Sequence, residues 1–272
     1  WGREGCERVA RVRHGKKLGG WYVLAIGLLR RPLLCLTKRD WHGAEHLLAD
    51  ARVDGHQVGI VVCPNHISWF DPLQSAHFLY DNGRPPRYLG KEAVFRIPFI
   101  GRIIRGAGQI PVYRETVDAA RAVSAAVTAV QAGECVVVYP EGTITRDPDM
   151  WPMTGRTGAA RIAFATGAPV VPLGMWGAQE VIPPYTKTLR LLPRRTMHVV
   201  AGPPVDLSDL AQRPLDNETL RLATERIMAA ITVLVERLRD APAPVRRFDP
   251  RASRPGAAQI DQVDGYQREE DS

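Results

Sequence analysis

Six short apolar runs, each bounded by glycine, proline or asparagine, set the strongest limit on how this chain folds. They are VGIVVC (58–63), PRYLGK (86–91), GQIPVY (108–113), CVVVY (135–139), PVVPLGMW (169–176) and TMHVVAG (196–202). Their length and their β-branched residues mark them as strands. Between them lie stretches of helical character at 72–80, 91–105, 116–132 and 157–166, with Thr116 as an N-cap and Gly133 and Gly167 as stops. Strands alternating with helices predict a single layered α/β domain with a mostly parallel, buried sheet flanked by helices.

The ends of the chain differ in character from this middle. Residues 217–239 carry Leu220, Ala223, Ile227, Ile231, Leu234 and Leu238 at helical spacing, which reads as a packing helix. After it, residues 241–272 are rich in Pro, Arg, Asp and Gly and read as a disordered tail. At the other end, the run from Leu18 to Leu29 is uncharged but only twelve residues long, whereas a spanning helix needs about 20. Lys16, Lys17, Arg30 and Arg31 flank it and Trp21 and Tyr22 lie within it, the composition of an N-terminal membrane-interfacial helical segment over 1–40. Pro32 is expected to end or kink that helix, and a plain helix packed on the domain is the rival reading. The organisation expected is therefore an interfacial segment (1–40), a domain (41–240) and a tail (241–272).

Lys and Arg outnumber Asp and Glu by 36 to 29, a formal charge of +7 that favours an anionic partner without choosing between phospholipid, nucleic acid and a phosphorylated substrate. Cys6, Cys35, Cys63 and Cys135 are scattered with no CxxC pair, so neither a zinc cage nor a disulfide framework is indicated. His42 and His46 in HGAEH have helical ligand spacing, but Gly43 and the turn-like surroundings argue for a loop, and no metal site is expected.

The chemistry points to the ends of two strands. In PNHISWFDP, His66 follows the 58–63 run and Asp71 precedes Pro72 at the start of the next helix. Asp before Pro is also what a helix N-cap looks like. Yet a carboxylate five residues away through a turn can reach one ring nitrogen, fix the tautomer and leave the other nitrogen to accept a proton from a hydroxyl. Ser68 lies between them, and a serine hydrolase built on it is a separate reading, although no GxSxG elbow supports it. The 135–139 run is followed by Glu141, Gly142 and Thr143, where glycine permits close backbone approach and the two side chains can bond hydroxyls. Arg114, just past the 108–113 run, can clamp a phosphate with two parallel bonds.

In this order the motifs resemble those of the glycerophospholipid acyltransferase family, closest to the 1-acylglycerol-3-phosphate acyltransferases. NHISWFD is similar to its HxxxxD block, KEAVFRIPFIGRIIRGAGQIPVYR to its second block, YPEGT to its third and VVPLGMWG to its fourth; the likeness spans about 42–207. The third block departs from the family's PEGTR, because Ile144 follows Thr143 and the next arginine is Arg146.

The resemblance implies that His66 is the general base and Asp71 its orienting carboxylate, with no covalent acyl-enzyme. It further implies that Arg114, Glu141, Gly142 and Thr143 hold the glycerol phosphate, joined by Lys91 at the start of the second block. The acceptor implied is lysophosphatidic acid, with another lysophospholipid or glycerol 3-phosphate as alternatives. The co-substrate implied is an acyl-CoA or acyl carrier protein thioester, with no bound cofactor, and the place implied is the cytoplasmic face of a membrane, in peripheral or monotopic contact with phospholipid. A basic nucleic-acid-binding protein is the reading from a different class; no zinc-finger or RNP1-like pattern supports it, and no nucleic acid is expected as a partner.

Overall fold

Alternate residues of the central strands enter two different cores, which is why those strands read as unbroken apolar runs. The computed structural model describes residues 18–48, 50–112, 116–250 and 252. In β4 (Ile60–Pro64) every residue is buried. Val61 and Cys63 face one cluster with Val136 of β7 (Cys135–Val137) and Val170 of β8 (Val170–Trp176). Ile60 and Val62 face the other, with Cys135, Val137, Val171 and Leu173. The first cluster is closed by α5 (Thr116–Gln131), α6 (Gly158–Thr166) and α8 (Asn217–Arg239), the second by Phe78 and Leu79 of α2 (Asp71–Asp81) and by Leu47.

With β1 (Thr37–His42), β5 (Pro86–Lys91), β6 (Ile110–Val112) and β9 (Arg195–Ala201), these strands form a seven-stranded sheet in the order β1-β9-β8-β4-β7-β5-β6, while β2 (Arg52–Val53) and β3 (His56–Gln57) pair separately and the short α7 (Ala178–Val181) follows β8. Every pairing is parallel except β8 with β9. All six expected strands are present, within one to two residues of their expected ends. From β4 the chain leaves through α2 on one face of the sheet, and from neighbouring β7 it leaves toward α6 on the other. The carboxyl ends of β4 and β7 thus flank a topological switch point, the place where open α/β sheets hold ligands.

Four features depart from the expectation. β1, with the charged sequence TKRDWH, is a sheet edge that starts before residue 41, so the sheet reaches into the expected interfacial segment. The stretch 91–105 is two short helices, α3 (Glu92–Phe95) and α4 (Ile100–Gly106), split around Pro98. Helix α1 (Gly20–Leu36) does not stop at Pro32 but runs one turn further, because Leu33 is buried beside Phe70, Ala178 and Met197 and the Thr37 hydroxyl donates to its carbonyl at 2.6 Å. Of the expected tail, 241–250 pack back on the domain: Thr154 N–H donates to the Phe248 carbonyl at 3.0 Å and Arg247 pairs with Glu225 at 2.6 Å.

α1 is tied down on one side and bare on the other. Arg30 grips Asp81 of α2 with two bonds of 2.8 and 3.1 Å, and Tyr22 donates to the Pro86 carbonyl at 3.2 Å. Trp21, Val23, Leu24, Leu28 and Leu29 remain exposed. Among the described residues no helix is long and apolar enough to cross a membrane.

Candidate functional site

Asp71 is the first residue of α2, not the cap before it, and its carboxylate turns backward. One oxygen, Oδ2, accepts from Ile67 N–H at 2.6 Å, from Ser68 N–H at 2.8 Å and from His66 Nδ1 at 2.8 Å. The fully buried carboxylate therefore organises the turn before the helix and holds the ring, and it does not cap α2 as Asp before Pro suggested. With Asp71 on Nδ1, the neutral tautomer carries its proton there. Nε2 has no protein partner among the described residues, and the side chain is 12% exposed.

The loop after β7 grips His66 by its backbone. Glu141 Oε1 accepts His66 N–H at 2.8 Å, and Thr145 N–H donates to the His66 carbonyl at 2.7 Å. The second Glu141 oxygen accepts Met153 N–H at 3.0 Å, so the buried carboxylate faces backbone on both sides. Burial pushes the Glu141 pKa up to about 8; Asp71 and Asp147 push the same way, against the two backbone N–H groups. Tyr139 completes the setting, with its ring centre 4.4 Å from the imidazole and its hydroxyl 3.2 Å from Ser75 Oγ.

The other expected residues divide. Lys91, at the end of β5, sits with its ammonium 5.7 Å from the ring centre of Trp69, in the His66–Asp71 loop. Thr143 is half-buried in the Glu141 turn. Gly142 has φ +71, and what comes close to it is Arg156: a Cβ there would lie 2.9 Å from Arg156 Nε. The exposed Arg156 therefore sets a cation against the third block, with its own N–H on the Pro140 carbonyl at 2.8 Å. Arg114 lies outside the described residues. Ser68 is fully buried, donates to the Ile182 carbonyl at 2.7 Å and accepts from Phe70 N–H at 3.0 Å, so its hydroxyl is used in holding the turn and the serine hydrolase loses its nucleophile.

Asn65, Tyr139, Thr145 and Arg156 were not singled out by the sequence. Asn65 and Tyr139 stand inside the quoted blocks, so adjacency to His66 and Glu141 was their only signal. Asn65 bonds both backbone groups of Met175, donating at 3.0 Å and accepting at 2.8 Å, and so pins the end of β4 to β8. Asn65→Ala leaves both groups buried without a partner and is expected to cost about 2–6 kcal/mol, at 1–3 kcal/mol per orphaned group. A urea denaturation midpoint unchanged from wild type would show that the bridge holds nothing.

The architecture is that of an α/β protein with a paired imidazole and carboxylate at the carboxyl edge of its sheet. A family model for acyltransferases matches residues 38–176. The 1-acyl-sn-glycerol-3-phosphate acyltransferase of Borreliella burgdorferi is 25% identical over 161 residues, covering 59% of this chain and 61% of that protein. The chloroplastic 1-acyl-sn-glycerol-3-phosphate acyltransferase BAT2 of Brassica napus is 29% identical over 147 residues, covering 54% and 39%. The chain thus spans less than two thirds of the length of these relatives. In fold it is similar to the crystal structure of the acyltransferase PlsC from Thermotoga maritima, with a TM-score of 0.59 at 23% identity over 82% of this chain and 81% of that one. The chain belongs to the glycerophospholipid acyltransferase family.

Proposed function

We propose that this protein moves a fatty acyl group from an acyl thioester to the free hydroxyl of lysophosphatidic acid, giving phosphatidic acid. The observation that carries the reading is the His66–Asp71 pair, in which Nδ1 is held at 2.8 Å and Nε2 has no protein partner among the described residues. Nε2 removes the proton of the acceptor hydroxyl as its oxygen attacks the thioester carbonyl. The tetrahedral oxyanion then collapses, the thiolate leaves, and the imidazolium returns the proton to sulfur. Asp71 steadies the imidazolium between the two steps, and no acyl group passes through the protein.

The acceptor's phosphate needs cations beside the hydroxyl. Arg114 and Lys91 come from the second block, and Arg156 stands against the Gly142 turn where the family's own arginine is replaced by Ile144. Glu141 acts as a positioning residue behind His66 in this scheme, and Thr143 stays available for a hydroxyl. The donor is an acyl-CoA or acyl carrier protein thioester, and the reaction takes place at the cytoplasmic face of a membrane with α1 at the interface, which its exposed Trp21, Leu24 and Leu28 support.

The decisive experiment is an acceptor panel with one labelled acyl-CoA and one labelled acyl carrier protein. The expected product is phosphatidic acid from lysophosphatidic acid, with a free thiol released one for one. Transfer only to glycerol 3-phosphate or to a zwitterionic lysophospholipid would replace the acceptor, and thiol release with water alone as acceptor would overturn the transfer itself.

A further inference from the structure

We propose that residues 94–102 form a docking tip for an anionic phospholipid surface, seating the mouth of the His66 loop directly against the bilayer. The inference rests on acyl transfer to a lipid acceptor and goes beyond it by assigning membrane contact to a second element besides α1.

The backbone here is held in an uncommon shape. Ile100 N–H donates to the Pro98 carbonyl at 2.7 Å, closing a three-residue turn around Phe99, whose φ is +61 and ψ −55. This is the classic γ-turn, rare and strained for any residue with a side chain. The inner side fixes it: Phe95 is buried, Arg105 donates to the Phe95 carbonyl, and Gly101 packs so close that a Cβ there would lie 2.0 Å from that oxygen. The outer side is left open among the described residues. Phe99 is 81% exposed, and Val94, Ile97 and Ile100 are between 42% and 49% exposed.

Charge identifies the occupant. Arg96, Arg102 and Arg105 line a cavity of about 220 Å³ together with Ile97, Pro98 and Phe99. From 91 to 106 the segment has four cations, Lys91 and the three arginines, against the single acid Glu92. An apolar tip with cations set behind it fits a bilayer, where the rings enter the acyl boundary and the guanidinium groups meet lipid phosphates. The same arginines repel a second copy of this face.

Position gives the consequence. Lys91 joins the segment to Trp69, which is 53% exposed in the His66–Asp71 loop, and α4 leads from Phe99 back to Gly106, where it meets Trp21 of α1. The tip is thus flanked in sequence by one contact with the His66 loop, at Lys91, and one with α1, at Gly106, so a bilayer on the tip lies close to the acceptor's way in.

Vesicle flotation of the full chain with Phe99→Asn and Arg102→Glu tests the proposal. Phe99 is 81% exposed, so Phe99→Asn is expected to leave the melting temperature about unchanged. It should weaken binding to phosphatidylcholine and to phosphatidylglycerol-doped vesicles roughly 10- to 150-fold, the worth of one buried aromatic ring. Arg102→Glu should weaken binding to the doped vesicles alone, by about 10-fold. Turnover of a water-soluble short-chain acceptor should be unchanged in both, while turnover of vesicle-embedded acceptor falls with binding. Wild-type flotation of both variants would overturn the tip, as would a lipid-free dimer in sedimentation velocity that Phe99→Asn dissolves without changing flotation. Loss of short-chain turnover in the wild type, with flotation behaving as expected, would count against the acyl-transfer reading and leave the docking tip standing.

Discussion

His66→Ala is expected to lower turnover by at least ~10²–10⁴-fold, the usual worth of a positioned general base, while leaving the protein folded. The structure explains why the two effects separate. When the imidazole goes, Asp71 Oδ2 still accepts from Ile67 and Ser68 N–H at 2.6 and 2.8 Å, so the buried charge stays bonded and the turn stays built. The His66 backbone remains gripped by Glu141 and Thr145. Thiol release from acyl-CoA in the presence of lysophosphatidic acid measures the loss, and an unchanged denaturation midpoint shows that the loss is chemical. Near-normal turnover in His66→Ala would remove the imidazole from the mechanism. Asp71→Ala is the blunter test, because it strips three donors of their acceptor together and disturbs the turn as well as the ring.

The sheet was legible because strands buried on both faces need no alternation: Ile60 to Pro64 and Val170 to Met175 face core on either side, and their sequences are apolar throughout. The pair was legible for a different reason. His66 and Asp71 are five residues apart, and a strand-to-helix turn has few ways to place them. Where long-range partners decide, the sequence was silent. β1 is written in charged residues, and its strand character comes from pairing with β9, more than 150 residues away. Asn65 shows no role until Met175 is beside it. Glu141 was read as facing a ligand because a residue after a strand can point either way; the N–H groups of His66 and Met153 turn it inward. The helix expected over 91–105 runs through Pro98, which cannot continue a helix and so marks the break in the sequence itself; that the chain turns sharply at Phe99 is shown only by the packing of Gly101 on Phe95.

Glu141→Gln should flatten the dependence of stability on pH and lower turnover at the same time. The folded carboxyl holds its proton up to about pH 8, mainly because it is buried, whereas the ordinary value is 4.5. Between those two values the folded state binds more proton than the unfolded one, so stability falls as pH rises through the window and levels off above it. At about 1.4 kcal/mol per unit the decline amounts to a few kcal/mol. Glutamine has no proton to lose, so the variant's stability should stay level between pH 5 and pH 8 while that of the wild type declines, which urea titrations across that range would record. The anchor loosens because an amide nitrogen, unlike a carboxyl oxygen, cannot accept a hydrogen bond. One of the two N–H groups of His66 and Met153 then faces an NH₂ donor, the imidazole loses placement, and turnover falls by up to ~10²-fold. That loss belongs in kcat, since the acceptor is still bound by other groups. A raised KM at constant kcat would instead mean that Glu141 bonds the acceptor itself, and a pH slope kept intact in Glu141→Gln would mean that some other buried acid carries it.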